Sequence, residues 1–192
     1  MYDKKSKHII DKFKRMFKIN LTAIVVGSLL FLPASFFVGI PVTGVGFFII
    51  LNVIALVNIR LSNRLGKIGK HVNSYEYLKA FENWMKEQLA VNSRMARFYY
   101  PLFFLLTVLG VWFSSDNGSQ LGETLVNKVI LNYPDLVMVF GIPLIGIFGV
   151  IFLLSLIAYF SGVLFKLDFN LVYGRVFDKL KELTADMEEL RA

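Results

Sequence analysis

The sequence predicts an all-α integral membrane protein, a four-helix bundle with helical extensions in the cytoplasm. The 192 residues are 56% hydrophobic and only 18% charged, whereas soluble domains carry about 25% charged residues. Residues 19–59 contain no Asp, Glu, Lys, Arg or His, and this run is long enough for two spans of about 20 residues each. The basic residues are concentrated in particular segments, and their distribution predicts the orientation of the chain in the membrane.

The elements follow one another in seven predicted segments. They are a basic juxtamembrane segment (1–18), a transmembrane hairpin of spans 1 and 2 (19–59), a cytoplasmic helical loop (60–97), span 3 (98–115), an external loop with a short amphipathic helix (116–135), span 4 (136–165) and a cytoplasmic C-terminal helix (166–192). We expect the hairpin to turn within residues 33–44, where Pro33, Gly39, Pro41 and Gly44 weaken a helix.

The fourth predicted span is longer than a membrane crossing requires. Residues 136–165 number 30, and as an ideal helix they would extend about 45 Å. We expect this span to tilt, to kink near Gly141 and Pro143, or to project beyond the bilayer.

The distribution of positive charge predicts the topology. Lys and Arg number seven in residues 1–18, eight in 60–97, five in 166–192 and one in 114–135. The positive-inside rule therefore places both termini and the 60–97 loop in the cytoplasm and 114–135 outside. We expect a multi-pass protein of the bacterial inner (plasma) membrane, whose basic segments contact anionic lipid headgroups rather than nucleic acid.

The N-terminus also has some features of a secretory signal peptide. A basic region precedes the apolar run INLTAIVVGSLLFL, which is the order found in signal peptides. However, Leu32 and Ala34 form a poor small-x-small cleavage site, and apolar sequence resumes at once at Phe36. We expect residues 1–34 to be retained, and the intact mass of the purified protein distinguishes the two alternatives.

The residues that usually carry catalysis or bind metals are sparse. The chain has no Cys, and His8 and His71 are far apart in sequence, so thiolate chemistry is excluded and a paired zinc site is not expected. The sequence contains no phosphate-binding glycine loop, HExxH or GxSxG motif. We therefore expect no catalytic residue, metal site or cofactor, and no enzymatic activity.

Within the predicted spans, a few polar and small residues are candidates for helix packing. The spans hold no Asp, Glu, Lys, Arg or His side chain. Ionisable side chains at membrane depth usually mark a proton or ion pathway. Asn52 lies inside the second span, where its amide should bond to a neighbouring helix. Ala158 and Gly162 form a small-xxx-small pair, which predicts close packing of span 4 against another helix of the chain or of a second protomer.

The external loop contains a second amphipathic pattern. Apolar residues recur at helical spacing after the turn-rich DNGSQ, and they are Leu121, Leu125, Val126, Val129, Ile130 and Tyr133. A short helix that lies on the outer leaflet would satisfy this pattern, and so would a helix that packs over the mouth of the bundle. The sequence leaves both arrangements open.

A long helix is predicted to begin in the cytoplasmic loop and to continue into span 3. Asn73 and Glu76 have the spacing of a capping box, and no Gly or Pro follows until Pro101. The helix is therefore expected to run from Ser74 to about Phe113. These 40 residues would extend about 60 Å.

This long helix and the C-terminal helix each carry an apolar stripe with steps of three and four residues. Such stripes are typical of helices that pack as a coiled-coil-like pair. Either the two stripes cover each other, or one stripe or the rim between them binds another protein, and both can hold together. The predicted partner-binding residues are Leu78, Phe81, Met85, Leu89, Leu180, Leu183, Met187 and Leu190.

The order of these segments is similar to that of a known group of proteins. A first hairpin precedes RLSNRLGKIGKHVNS, followed by EYLKAFENWMKEQLAVNSRMARFYYPL with Arg94, Arg97 and Pro101, and finally by VYGRVFDKLKELTADMEEL. This arrangement resembles the small bacterial four-span membrane proteins that are encoded beside extracytoplasmic-function sigma factors and suspected of being membrane anti-sigma proteins. The resemblance implies a sigma-factor-like partner. The N-terminal segment differs, because it is basic here and acidic-aromatic in that group.

Three classes of function are compatible with these features. The favoured one is a non-enzymatic inner-membrane adaptor or regulator, anti-sigma-like, that binds a cytoplasmic protein through the paired amphipathic helices. The same helices could instead bind a second copy and form a homo-oligomer. The alternatives are an oligomeric pore-forming or membrane-disrupting effector, with a gate lined by apolar residues, and an accessory subunit of a transporter or envelope complex.

Overall fold

The computed structural model describes residues 2–66, 74–116 and 119–189, and in these residues the fold is all-α, as the sequence predicts. The elements in chain order are α1 (Tyr2–Phe37), α2 (Pro41–Gly66), α3 (Ser74–Phe113), β1 (Ser115–Asp116), β2 (Ser119–Gln120), α4 (Leu121–Asn132), β3 (Met138–Val139), β4 (Ile142–Pro143) and α5 (Leu144–Glu189). Four of the helices, α1, α2, α3 and α5, are long and apolar enough to cross a membrane. These features indicate a multi-pass membrane protein.

The long helices join segments that the sequence analysis treated separately. Helix α1 has 36 residues and unites the basic segment with span 1, and α5 has 46 residues and unites span 4 with the C-terminal helix. At 1.5 Å per residue, α5 is about 69 Å long, more than twice the thickness of the hydrocarbon core of a bilayer. The predicted boundaries at 18/19 and 165/166 are therefore not structural breaks, because no helix-breaking residue stands at either point.

Helix α3 begins at Ser74 and ends at Phe113, and it has the 40 residues predicted for it. Pro101 lies inside this helix without ending it. The predicted capping residue Asn73 lies outside the described residues.

The turn between α1 and α2 is shorter than the predicted window. Pro33 lies within α1, and the helix continues to Phe37. The chain reverses around Gly39, whose φ of 80° is a conformation that favours glycine. Helix α2 begins at Pro41, a position at which the missing proline N–H has no helical partner to lose.

The helix of the fourth predicted span begins later than residue 136. Helix α5 begins at Leu144, and the residues before it form a hairpin in which Met138 pairs with Pro143 and Val139 with Ile142. The φ angles of Phe140 and Gly141 are 50° and 77°, which a right-handed helix cannot accommodate. An apolar run of this length suits a short strand as well as a helix, so periodicity alone does not distinguish them.

The chain divides into two compact units. The first unit comprises Met1–Val26, Asn52–Met95 and Gly162–Ala192, and the second comprises Gly27–Leu51 and Ala96–Ser161. Each unit therefore contains segments of the same four long helices, and the second also contains α4 and both short hairpins.

In the second unit, α2 approaches α1 and α3 closely. The Thr43 hydroxyl donates a hydrogen bond to the carbonyl oxygen of Leu106 over 2.7 Å. The Phe47 ring stacks on Phe31 at 5.4 Å and meets Phe103 edge-on at 4.7 Å between centroids. Such close helix contacts are expected where lipid replaces water and association depends on packing and on hydrogen bonds between helices.

Helix α4 packs against the end of α3. Gly122 is buried, and a Cβ atom built at this position would lie 2.6 Å from the indole ring of Trp112. Val126 and Val129, on the same side of α4, are half-buried. Gly122 therefore joins α4 to the end of α3, and both arrangements considered from the sequence stay predictions.

Candidate docking site

The first unit encloses an apolar core that is built by α1, α3 and α5. We call it the three-helix core. Charged residues recur between its members along each helix, as they do in helices with one buried face. Its buried members are Ile10, Phe13 and Phe17 from α1, Leu78, Phe81, Trp84 and Met85 from α3, and Phe169, Tyr173, Val176, Leu180 and Leu183 from α5.

Phe13 joins the three helices at the centre of this core. Its side chain is 1% exposed. Its ring centroid lies 5.3 Å from that of Phe81 and 5.8 Å from that of Trp84, both on α3, and 5.2 Å from that of Tyr173 on α5. Edge-on and tilted aromatic pairs of this kind stabilise a core by more than their buried area alone.

The structure brings the predicted partner-binding residues together inside the chain. Leu78, Phe81, Met85, Leu180 and Leu183 are buried members of the three-helix core. Leu89 and Met187 are half-buried and pack against it, and Leu190 lies outside the described residues. The two stripes therefore cover each other, and another protein could reach the five buried side chains only if the helices separated.

The contribution of α1 to this core was missed in the sequence analysis. Ile10, Phe13 and Phe17 are spaced by three and four residues, the same signal that identified the other two stripes. In α1 the signal is interrupted by Lys12, Lys14 and other cations, and the segment was interpreted as a binding site for lipid headgroups. The apolar spacing was sufficient to identify a third packing helix.

Hydrogen bonds at the edge of the core join each pair of its helices. They run from Lys14 Nζ to the Tyr77 hydroxyl over 3.2 Å, from Asn20 Nδ2 to the Tyr173 hydroxyl over 3.0 Å, and from the Tyr75 hydroxyl to Glu188 Oε1 over 3.0 Å. Because the three bonds connect α1 to α3, α1 to α5 and α3 to α5, they fix the register of all three helices.

A buried cluster of three amides joins α2 to α3. Asn58 Nδ2 donates to Asn92 Oδ1 and Asn92 Nδ2 donates to Asn58 Oδ1, both over 3.0 Å. Gln88 Nε2 also donates to Asn58 Oδ1, and Gln88 Oε1 has no hydrogen-bond partner among the described residues. This cluster was not identified in the sequence analysis, where a cross-helix amide contact was expected of Asn52, which is half-buried.

The small-residue pair of α5 is divided between the two units. Gly162 packs against α3 in the first unit, where a Cβ atom built on it would lie 3.7 Å from Ser93 Oγ. Ala158 belongs to the second unit and is half-buried. At Gly162 the contact is therefore within the chain.

An open groove lies between α1 and α5 on the outside of the three-helix core. Its volume is about 460 Å³, within the range of small binding sites. Ile9 is half-buried and contributes apolar surface to it, whereas Val176 is a buried member of the core. The charged side chains of the groove form no ion pair with another described residue. We call it the α1–α5 groove, and it is lined by His8, Ile9, Lys12, Arg175, Val176, Asp178, Lys179 and Glu182.

Neither a metal site nor a known relative identifies the chemistry of this surface. In the part of the chain that the structure describes, no group of three His, Cys, Asp or Glu side chains is placed to hold a metal ion. Comparisons with protein-family models, with curated proteins and with solved structures find no match.

Proposed function

We propose that the chain is a non-enzymatic inner-membrane adaptor or regulator that binds a cytoplasmic protein in the α1–α5 groove. The observation that carries this proposal is the composition of the groove. The half-buried Ile9 lies beside charges of both signs that form no ion pair with another described residue, Lys12, Arg175 and Lys179 against Asp178 and Glu182. Such a surface can bury an apolar anchor of a partner and orient it with charges at the rim.

The buried stripes support this choice of surface. The residues that were predicted to bind a partner form the core that holds α1 against α5. Their contribution to binding would therefore be to shape the groove. Side chains already removed from water offer a partner no apolar surface to cover. The exposed rim is the part of the paired helices that remains free for contact.

The charge distribution supports a cytoplasmic location for the groove. The groove lies on segments that carry 7 basic residues (1–18) and 5 basic residues (166–192), whereas residues 114–135 carry 1. Because the chain has no Cys, Lys179→Cys creates a single labelling site. A membrane-impermeant maleimide should label it only after the inner membrane of intact cells is opened.

Site-specific photo-crosslinking tests the binding of a partner. A photoreactive amino acid at Lys179 should crosslink a soluble protein in native membranes. The same amino acid at Lys86, which lies on α3 outside the groove and is 60% exposed, is the matched control. Charge reversal by Lys12→Glu and Lys179→Glu should weaken the adduct formed through His8, a third groove residue, whereas Lys86→Glu should leave it unchanged.

The identity of the adduct decides among the candidate functions. A sigma factor would support the anti-sigma-like role that the family resemblance implies, and another soluble protein would support an adaptor of a different kind. Crosslinks from Lys179 to lipid alone, or to a second copy of this chain alone, would contradict the proposal.

A second function, as an accessory subunit of a membrane complex, is favoured by one residue of α5. Tyr159 is 81% exposed on an apolar helix, and its hydroxyl makes no hydrogen bond to another described residue. A hydroxyl in hydrocarbon needs a hydrogen-bond partner, and a neighbouring membrane protein would supply one. Native mass spectrometry in mild detergent should then show a larger complex that Tyr159→Phe weakens.

A further inference from the structure

The hairpin before α5 has an unusual residue at its tip. Phe140 and Gly141 are the two residues between strands β3 and β4, and both have positive φ angles, 50° and 77°. Two-residue turns with this geometry favour Asn-Gly or Gly-Gly, because left-handed backbone is strained for other side chains. A bulky phenylalanine in the first position is therefore unfavourable for the turn itself.

No other described residue of the chain covers the ring of Phe140. It is 100% exposed, and it is accompanied by other exposed apolar side chains of the same segment, Tyr133 at 66% and Val137 at 64%. Residues 136–143 contain no charged or polar side chain. Turns that face water are instead rich in Asn, Asp, Gly and Ser.

The position of the hairpin indicates what covers it. The backbone N–H of Leu144 donates to the carbonyl oxygen of Val137 over 2.9 Å, which closes the base of the hairpin onto the first residue of α5. The exposed residues that follow, Ile145 and Phe148, belong to a helix apolar enough to cross a membrane. With two residues per strand, the hairpin extends only about 7 Å, similar to the thickness of one interfacial layer of a bilayer.

We propose that this hairpin inserts into the bilayer and that Phe140 is its lipid anchor. The apolar surface of the hairpin is continuous along the chain with the lipid-facing surface of α5, and the hairpin is too short to hold the ring far from the interface. Apolar surroundings also account for a turn that lacks the polar residues needed in water. The occupant of this surface is therefore lipid, and not a second protein.

A depth measurement on the full chain tests the proposal. Because the chain has no Cys, Phe140→Cys carries a single nitroxide label after reconstitution into phosphatidylcholine vesicles. We expect a label at 140 to collide with oxygen and to be protected from a water-soluble nickel complex. Phe148→Cys, on the exposed face of α5, is the control within the lipid. Glu123→Cys, on the exposed face of α4, is the control in water.

Each outcome of this measurement decides the question. A label at 140 with the nickel accessibility of the Glu123 control overturns the proposal, because the tip then lies in water. Protection from both oxygen and nickel also overturns it, because protein then covers the tip.

A second variant separates insertion from folding of the turn. Phe140→Asn provides a side chain that tolerates the left-handed conformation, so the hairpin should form while the anchor is lost. A nitroxide at Val137→Cys should then become several-fold more accessible to the nickel complex than it is with Phe140 in place. Equal accessibility in the two backgrounds would show that Phe140 does not hold the hairpin in lipid.

Discussion

Truncation of Phe13 tests whether packing or headgroup contact holds the start of α1. Phe13→Ala removes a ring that is 1% exposed and lies within 6 Å, between centroids, of four other aromatic rings. Loss of a buried phenylalanine costs about 3–5 kcal/mol. If packing in the three-helix core holds α1, the equilibrium constant for local opening of α1 should rise about 140-fold to 4,000-fold. This range follows because 1.4 kcal/mol corresponds to a factor of ten.

Hydrogen exchange in lipid nanodiscs measures this change. Backbone amides of α1 around Phe13 should exchange faster in the variant, and so should the amides of α5 around Tyr173, because the ring contacts both helices. Phe98→Ala is the matched control. It removes the same atoms from a side chain that is 72% exposed, and we expect a change below about 0.5 kcal/mol.

Two results would refute the reasoning. Equal, small effects of the Phe13 and Phe98 substitutions would show that the core does not hold α1. At about 1 M salt, charges more than about 3 Å apart are screened. If the backbone amides of α1 in the unmodified protein lose their protection from exchange under this condition, headgroup contact holds α1 instead.

Two further predictions concern helix contacts and are checked by unfolding in detergent. Gly122→Ala should destabilise the protein by about 1–3 kcal/mol because its methyl group meets Trp112, whereas Gly146→Ala, with nothing within 4 Å of its Cβ, should be neutral or stabilising. Equal melting temperatures for the two variants would contradict this. Asn92→Leu should cost about 1–3 kcal/mol because it removes a partner of the buried Asn58 amide. The double variant with Asn58→Leu should cost less than the sum of the two single changes, and strict additivity would rule out a coupled cluster.

Local signals in the sequence were enough to predict α3 from its first to its last residue, the helical character of most of the remaining chain, and two of the three packing faces. The extent of α3 follows from the absence of Gly and Pro between Ser74 and Pro101, and its stripe follows from residues such as Phe81 and Met85. That information lies within a few turns of one helix, which is the range over which periodicity is informative.

The groove and the hairpin could not be predicted in this way. The groove exists because Ile9 and Val176 come together from opposite ends of the chain, and nothing near either residue specifies the other. The hairpin was assigned to a span because its residues are all apolar, and only the backbone at Phe140 and Gly141 distinguishes a turn from a helix.

Helix α5 runs from Leu144 to Glu189 without a proline, and its residues belong first to the second unit and then to the first. Its backbone hydrogen bonds are therefore continuous from the apolar stretch that follows Leu144 to the residues that line the α1–α5 groove, so one helix carries both a candidate membrane span and one wall of the candidate binding surface.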